Sequence, residues 1–402
     1  MKFMTYSDER REWRLTEGRR KSSAIPQASK LARIERIIPV QMDLHRSVTT
    51  FAVALASWGI PCGVSCRTAH RDPPITEAPS TDGERNASPA RNVTVLLAST
   101  SGRDGASCSR MVVGAGSVYC WNSKVLRIVK IPASGGEPTV LGGAAEPGAL
   151  VLYDSMIYWA EVDRTVNGTS IAGGPSRTVV RDAFFFGFCG GVAVDQTGIF
   201  WTDEGVFGEP TGSIMRSTLG GRDAATLASE QNGPTDIAVD AASIYWIDSH
   251  AAGRYHNRGP IMPEPEDASP PPPPVGEIMK LDKRGGSPAT LASGQVEPTS
   301  LVVKRGDVYW ISHRPSHIMR LPASGGQPVA IIEAGDPSAL AVDEDSIYWA
   351  DASAGLVMKA ARVGGRPRVL ASNQGDLAQI AVDDDSVYWT TSDGALVRAT
   401  PK

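Results

Sequence analysis

Leu340-Ala341-Val342-Asp343-Glu344-Asp345-Ser346-Ile347-Tyr348-Trp349 decides the fold, because near copies of it return along the chain. They stand at Ile380 to Trp389, Ile237 to Trp246, Val192 to Trp201, Leu301 to Trp310 and Leu150 to Trp159. A seventh, Met111 to Cys120, carries cysteine in the tryptophan position. Successive tryptophan positions lie 39, 42, 45, 64, 39 and 40 residues apart. Self-similarity at such a period marks one supersecondary unit repeated as an array. The longest interval is one repeat plus an insertion of about 24 residues between Asp248 and Gly276.

Each copy predicts two hairpins. Ala339 to Asp343 is a strand, Glu344-Asp345 a tight turn, and Ser346 to Trp349 the returning strand. Leu356 to Ala360 follows, then the Gly364-Gly365 break, then Arg368 to Ala371. A glycine pair supplies the positive φ that a tight turn needs, and such pairs recur at Gly135-Gly136, Gly173-Gly174, Gly220-Gly221, Gly285-Gly286 and Gly325-Gly326. Apolar residues occupy both faces of the first two strands, so every sheet must be covered on both sides. Radially packed four-stranded sheets meet that demand, whereas a sandwich leaves one face polar. The last repeat stops after Leu396 to Ala399, and Asn92 to Ser99 resembles the outer strands of the other repeats. The expected fold is therefore all-β: a seven-bladed β-propeller of four-stranded antiparallel blades over residues 91–402, closed by an N-terminal outer strand.

Upstream, the composition changes character. Residues 1–41 hold ten Lys or Arg against five acids and show no sustained apolar face, which predicts an unstructured basic tail or an over-extended start. From Met42 a short basic lead precedes the apolar run Ser47 to Ile60, too short to span a bilayer comfortably. Residues 42–66 read as a secretory signal. It ends in Gly63-Val64-Ser65-Cys66, similar to the lipobox of bacterial lipoproteins, which would make Cys66 the lipidated residue; Gly63 replaces the family's leucine. Residues 67–90 are rich in Pro, Ser, Thr and Ala without periodicity and read as a tether. The expected location is outside the cytoplasm, as an envelope lipoprotein or an extracellular protein. Net charge −4 and pI near 5.9 give no basic surface for nucleic acid.

The phrase "IAVD…IYW" with its glycine-marked turn resembles the YWTD and NHL types of β-propeller, and most closely bacterial lipoproteins built from such repeats. The resemblance implies the propeller architecture over residues 91–402. Only Phe200-Trp201-Thr202-Asp203 approaches the full YWTD tetrad. YWTD receptor domains have six blades, so their ligands are not implied for seven.

On a repeat scaffold, function is expected where the repeat is broken. The insertion at about 249–275 contains His250, Tyr255 and His256 and runs into Pro270 to Pro274, a stiff segment suited to docking or a passive excursion. His313 and His317 follow Trp310, so with His250 and His256 they could serve zinc or an acid/base pair, or be scattered surface histidines. Phe184, Phe185, Phe186 and Phe188 join the second and third repeats, as a sticky patch or a plug of the channel mouth. Asp195, Asp240, Asp343 and Asp383 form a ring best explained by turn hydrogen bonding. Register opposes Met111, not Cys108, to Cys120, so no disulfide is expected. The expected function is a monomeric, non-enzymatic scaffold binding a protein or glycan, without nucleic acid, catalytic residues, metal or other cofactor. The alternative is a metal-dependent hydrolase, lactonase or lyase with a channel site.

Overall fold

The computed structural model of the protein describes residues 2–7, 12–17, 92–100, 105–161, 163–181, 183, 189–206, 209–249 and 275–402. Among them the chain forms seven four-stranded sheets, each an antiparallel meander, and no helix. Blade 6 runs from inner to outer strand as Pro337–Val342, Ser346–Asp351, Leu356–Ala361 and Arg368–Ala371. Blade 7 is Leu377–Val382, Val387–Thr391 and Leu396–Thr400, and its fourth strand is Asn92–Leu97. The register pairs Val93 with Ala399 and Val95 with Val397, so the expected closure is present.

The repeat phrase explains why the blades stack. Neighbouring side chains of the second strand point to opposite faces, and the structure uses both. Tyr348 of blade 6 lies in one apolar cluster with Trp389 of blade 7, while Trp349 lies in another with Tyr309 of blade 5. The tyrosine meets the next blade and the tryptophan the previous one. Trp159, Trp201, Trp246, Trp310 and Trp389 are fully buried in this way. Blade 1, Arg110–Gly114, Ser117–Asn122, Arg127–Pro132 and Thr139–Gly143, departs from the rule: Tyr388 of blade 7 faces a cluster holding Cys120.

Here one expectation is overturned. Cys108 and Cys120 form a disulfide, with Cα atoms 5.1 Å apart. Met111 does pair with Cys120, but the chain before Arg110 leaves that ladder. The Ser109 amide donates to Trp121 O, and the Cys108 amide donates to Gly394 O of blade 7 at 2.8 Å. That fold-back, which strand register alone does not foresee, carries Cys108 over its own second strand.

In a separate compact unit, Lys2–Ser7 and Glu12–Glu17 pair as an antiparallel hairpin whose register sets Tyr6 opposite Trp13 and Met4 opposite Leu15. Glu12–Glu17 alternates polar and apolar residues as a strand does. The signal, Cys66 and the tether, 42–90, lie outside the described residues.

Candidate ligand face

In every meander the loops from second to third strand and the connections from outer strand to the next inner strand share one end of the blade. The chain leaves blade 4 for the insertion at Ser249 and re-enters at Val275, on that end. The connection between blades 2 and 3 also belongs there. His250, Tyr255, His256, Phe184, Phe185, Phe186 and Phe188 lie outside the described residues.

His313 and His317 bracket the loop after Ser312, which pairs with His317. They turn to different partners. His313 Nε2 is 3.2 Å from the Thr299 hydroxyl, and His317 Nδ1 is 3.1 Å from Pro315 O. Burial pushes the His313 pKa below its ordinary value, against the opposing pull of Glu297 and Asp336, so its ring is neutral near pH 7. Among the described residues no three His, Cys, Asp or Glu side chains gather as metal ligands.

Thr299 begins an inner strand, and the same position in blade 1 is Ser109, whose hydroxyl is 3.1 Å from that of Ser123. The next residue along reaches the following blade. Asp236 Oδ2 accepts the Ser300 amide at 2.7 Å, and Gln379 Oε1 accepts the Met111 amide at 2.8 Å. Burial raises the Asp236 pKa, although the Ser300 and Leu301 amides work against it. Asp236 stands on the innermost strand of blade 4. A shallow depression of about 460 Å³ opens between blades 6 and 7, lined by Ser353, Gly355, Asn373 and Asp376.

Two further groups escaped sequence reading. Glu161, Asp203, Asp248 and Asp351 end their second strands buried, and they hold the loops above them: Glu161 Oε1 accepts the Ala145 amide at 2.7 Å and Asp248 Oδ2 the Asn232 amide at 3.1 Å. Gln295 closes an outer strand by accepting Trp310 Nε1 at 3.1 Å and donating to Ser293 O at 2.8 Å. The signal was present: Ala-Ser-x-Gln occurs at 228–231, 292–295 and 371–374, and its third residue has positive φ each time, Glu230 at 60°, Gly294 at 66° and Asn373 at 57°.

Exposed acids stand on both faces, Glu137, Asp154, Asp345, Asp384 and Asp385 among them at the turns opposite the loops. Glu146, Asp163, Glu209, Glu230, Asp376 and Asp393 are exposed on the loop face. Of the cations there, Arg314 is paired with Glu297 at 2.7 Å and Lys124 is bonded to Thr100 O; Arg127, Arg164 and Arg181 are exposed. On the opposite face the turn aspartates are consumed as expected. Asp240, Asp343 and Asp383 each accept two turn amides and a tyrosine hydroxyl. Cations then tie blade to blade: Lys283 to Asp195, Arg362 to Asp307 at 2.7 Å, and Lys402 to Asp343 at 2.7 Å.

No family model and no curated protein matches the chain. Solved structures do. A streptogramin B lyase superimposes with TM-score 0.57 at 12% identity, over 78% of this chain and 98% of the lyase. Virginiamycin B lyase from Staphylococcus aureus gives 0.56 at 12% identity, over 77% and 99%. The computationally designed Ika8 protein gives 0.52 at 15% identity, over 77% and 99%. At these identities the likeness shows the propeller fold alone.

Proposed function

We propose that the protein is an exported, non-enzymatic binding propeller of the bacterial envelope, and that its loop face receives a partner bearing basic groups. The observation that carries this reading is the set of exposed carboxylates, Glu146, Asp163, Glu209, Glu230, Asp376 and Asp393, on the face where the repeat is irregular. A complementary field attracts a cationic partner and orients it on approach. The buried Cys108–Cys120 bond supports export, because such bonds persist in oxidising compartments. The test is capture from envelope extract by immobilised full-length protein, at low and high salt, beside the double variant Asp376→Lys/Asp393→Lys. Capture that falls with salt and with the charge reversal supports the reading. Capture indifferent to both, or none at all, contradicts it.

A second reading, a hydrolase, lactonase or lyase with a channel site, draws support from the neutral His313 beside Thr299 and from the lyases among the structural neighbours. The described residues do not offer a gathered donor set for a divalent ion, so no step is assigned to a metal. A stoichiometric divalent ion in the purified protein, lost on His313→Ala, would favour this reading over the first.

A further inference from the structure

The interface between blades 7 and 1 sets the three C-terminal strands of blade 7 against the first blade of the chain, beside the pairing of Asn92–Leu97 with Leu396–Thr400 that joins the two ends. It also lacks the tryptophan: Tyr388 meets Cys120 where Tyr348 meets Trp389. The residue at a separation of 12 varies among the blades: Pro147, Pro234, Pro298 and Pro337 precede their tryptophans by this interval, Cys189 precedes Trp201, and Leu377 in blade 7 packs in one cluster with Trp389. In blade 1 both members are cysteine. Two thiols fill less space than proline and tryptophan, so a covalent bond stands in place of that packing.

The bond fixes the segment that makes the seam. Cys108 donates its amide to Gly394 O, and Ser107, buried, lies against Gly394 so closely that a Cβ there would sit 2.4 Å from its hydroxyl. Three residues on, Met111 donates its amide to Gln379. Both Cys108 and Cys120 are 0% exposed. Thiol–disulfide exchange needs a thiolate to reach a sulfur along the S–S axis, and neither sulfur in the closed ring offers that approach.

We propose that the Cys108–Cys120 bond is the condition for ring closure: a disulfide-bearing oxidant forms it while the seam between blades 7 and 1 is open, and closure then buries it. One cysteine thiolate attacks the oxidant's disulfide and expels a thiol. The other attacks the mixed disulfide and expels the second thiol. Two electrons and two protons pass from the chain to the oxidant, and one S–S bond is left in the protein. Closure is thereby confined to a compartment that supplies such an oxidant, whatever the closed ring binds.

The experiment refolds the fully reduced full-length chain with and without oxidised glutathione. Closure is read as protease protection of residues 92–97, and the state of Cys108 and Cys120 as alkylation followed by mass. Without oxidant the closing equilibrium is expected to fall on the order of 100-fold, the scale for a short cross-linked loop; oxidant restores it. In the folded protein, dithiothreitol leaves both cysteines unalkylated; after denaturation it exposes them. Cys108→Leu/Cys120→Trp, which restores the packed pair of blade 7 and keeps the amide at 108, closes without oxidant, whereas Cys108→Ala/Cys120→Ala closes poorly in both conditions. Should the Leu/Trp variant fail to fold, the wild-type pair and the Ala/Ala variant decide. The proposal is overturned if the reduced chain closes as fully as the oxidised one, if the Ala/Ala variant closes like wild type, or if the bond in the folded protein is reduced as fast as in the denatured chain.

Discussion

Replacing Asp343 by alanine removes more than a surface charge. Its carboxylate accepts the Asp345 amide at 2.9 Å, the Ser346 amide at 2.7 Å and the Tyr348 hydroxyl at 2.8 Å, and it pairs with Lys402 of the C-terminus at 2.7 Å. Two turn amides and a tyrosine hydroxyl lose their acceptor, each bond worth about 1 kcal/mol net. The ion pair, partly exposed, adds a few tenths to about 1 kcal/mol. The expected loss is thus about 3 kcal/mol at neutral pH. The same carboxyl gives the loss a pH signature. Burial pushes its pKa up, but the bonds from Lys402, the turn amides and Tyr348 outweigh it and hold it at about 2, against an ordinary 3.8. A carboxyl with a depressed folded pKa stabilises the fold above its unfolded value, and that stabilisation fades as pH falls from 3.8 toward about 2. The span corresponds to about 2 kcal/mol before solvent screening and roughly half of that after it. Urea denaturation of wild type, Asp343→Ala and Lys402→Ala between neutral pH and pH 2 measures both quantities. Asp343→Ala should flatten the acid limb and Lys402→Ala should flatten it in part. A loss below about 0.5 kcal/mol for Asp343→Ala, the ordinary range of an uninvolved surface site, would refute the reasoning.

Other substitutions probe the packing and the backbone. Trp349→Ala empties the space against Tyr309 and should cost about 3–5 kcal/mol in thermal or urea denaturation. Glu230 and Gly294 occupy the same left-handed position of successive blades. Glu230→Gly should therefore stabilise by about 0.5–1 kcal/mol and Gly294→Ala destabilise by a similar amount, opposite signs in one assay.

The blade count, the four-strand layout and the closing strand were legible because the sequence states the second-strand phrase seven times, and both faces of that strand are apolar. The role of Tyr348 and Trp349 as contacts to the next and previous blade follows from the same alternation. The disulfide was hidden because pairing register describes a ladder, and Cys108 lies just where the chain abandons it for blade 7. The fastening of Trp310 by Gln295 was readable in the thrice-repeated Ala-Ser-x-Gln, but only with the left-handed third residue known does the glutamine turn inward. The loop face resisted sequence reading for a different reason. Contacts there join groups from different blades, such as the Asp236 carboxylate and the Ser300 amide, whose nearness is a product of the ring rather than of spacing.

The central claim is a single ring whose last blade is built from both ends of the chain. Native-state hydrogen exchange of the amides in Asn92–Leu97 and Leu396–Thr400 tests it most directly. Paired along the third strand, the bonded amides of both segments should be protected together, and those of Leu396–Thr400 that bond to Asn92–Leu97 should lose protection when residues 92–97 are deleted. Exchange of 92–97 at the rate of free chain, with 396–400 protected regardless, would contradict it.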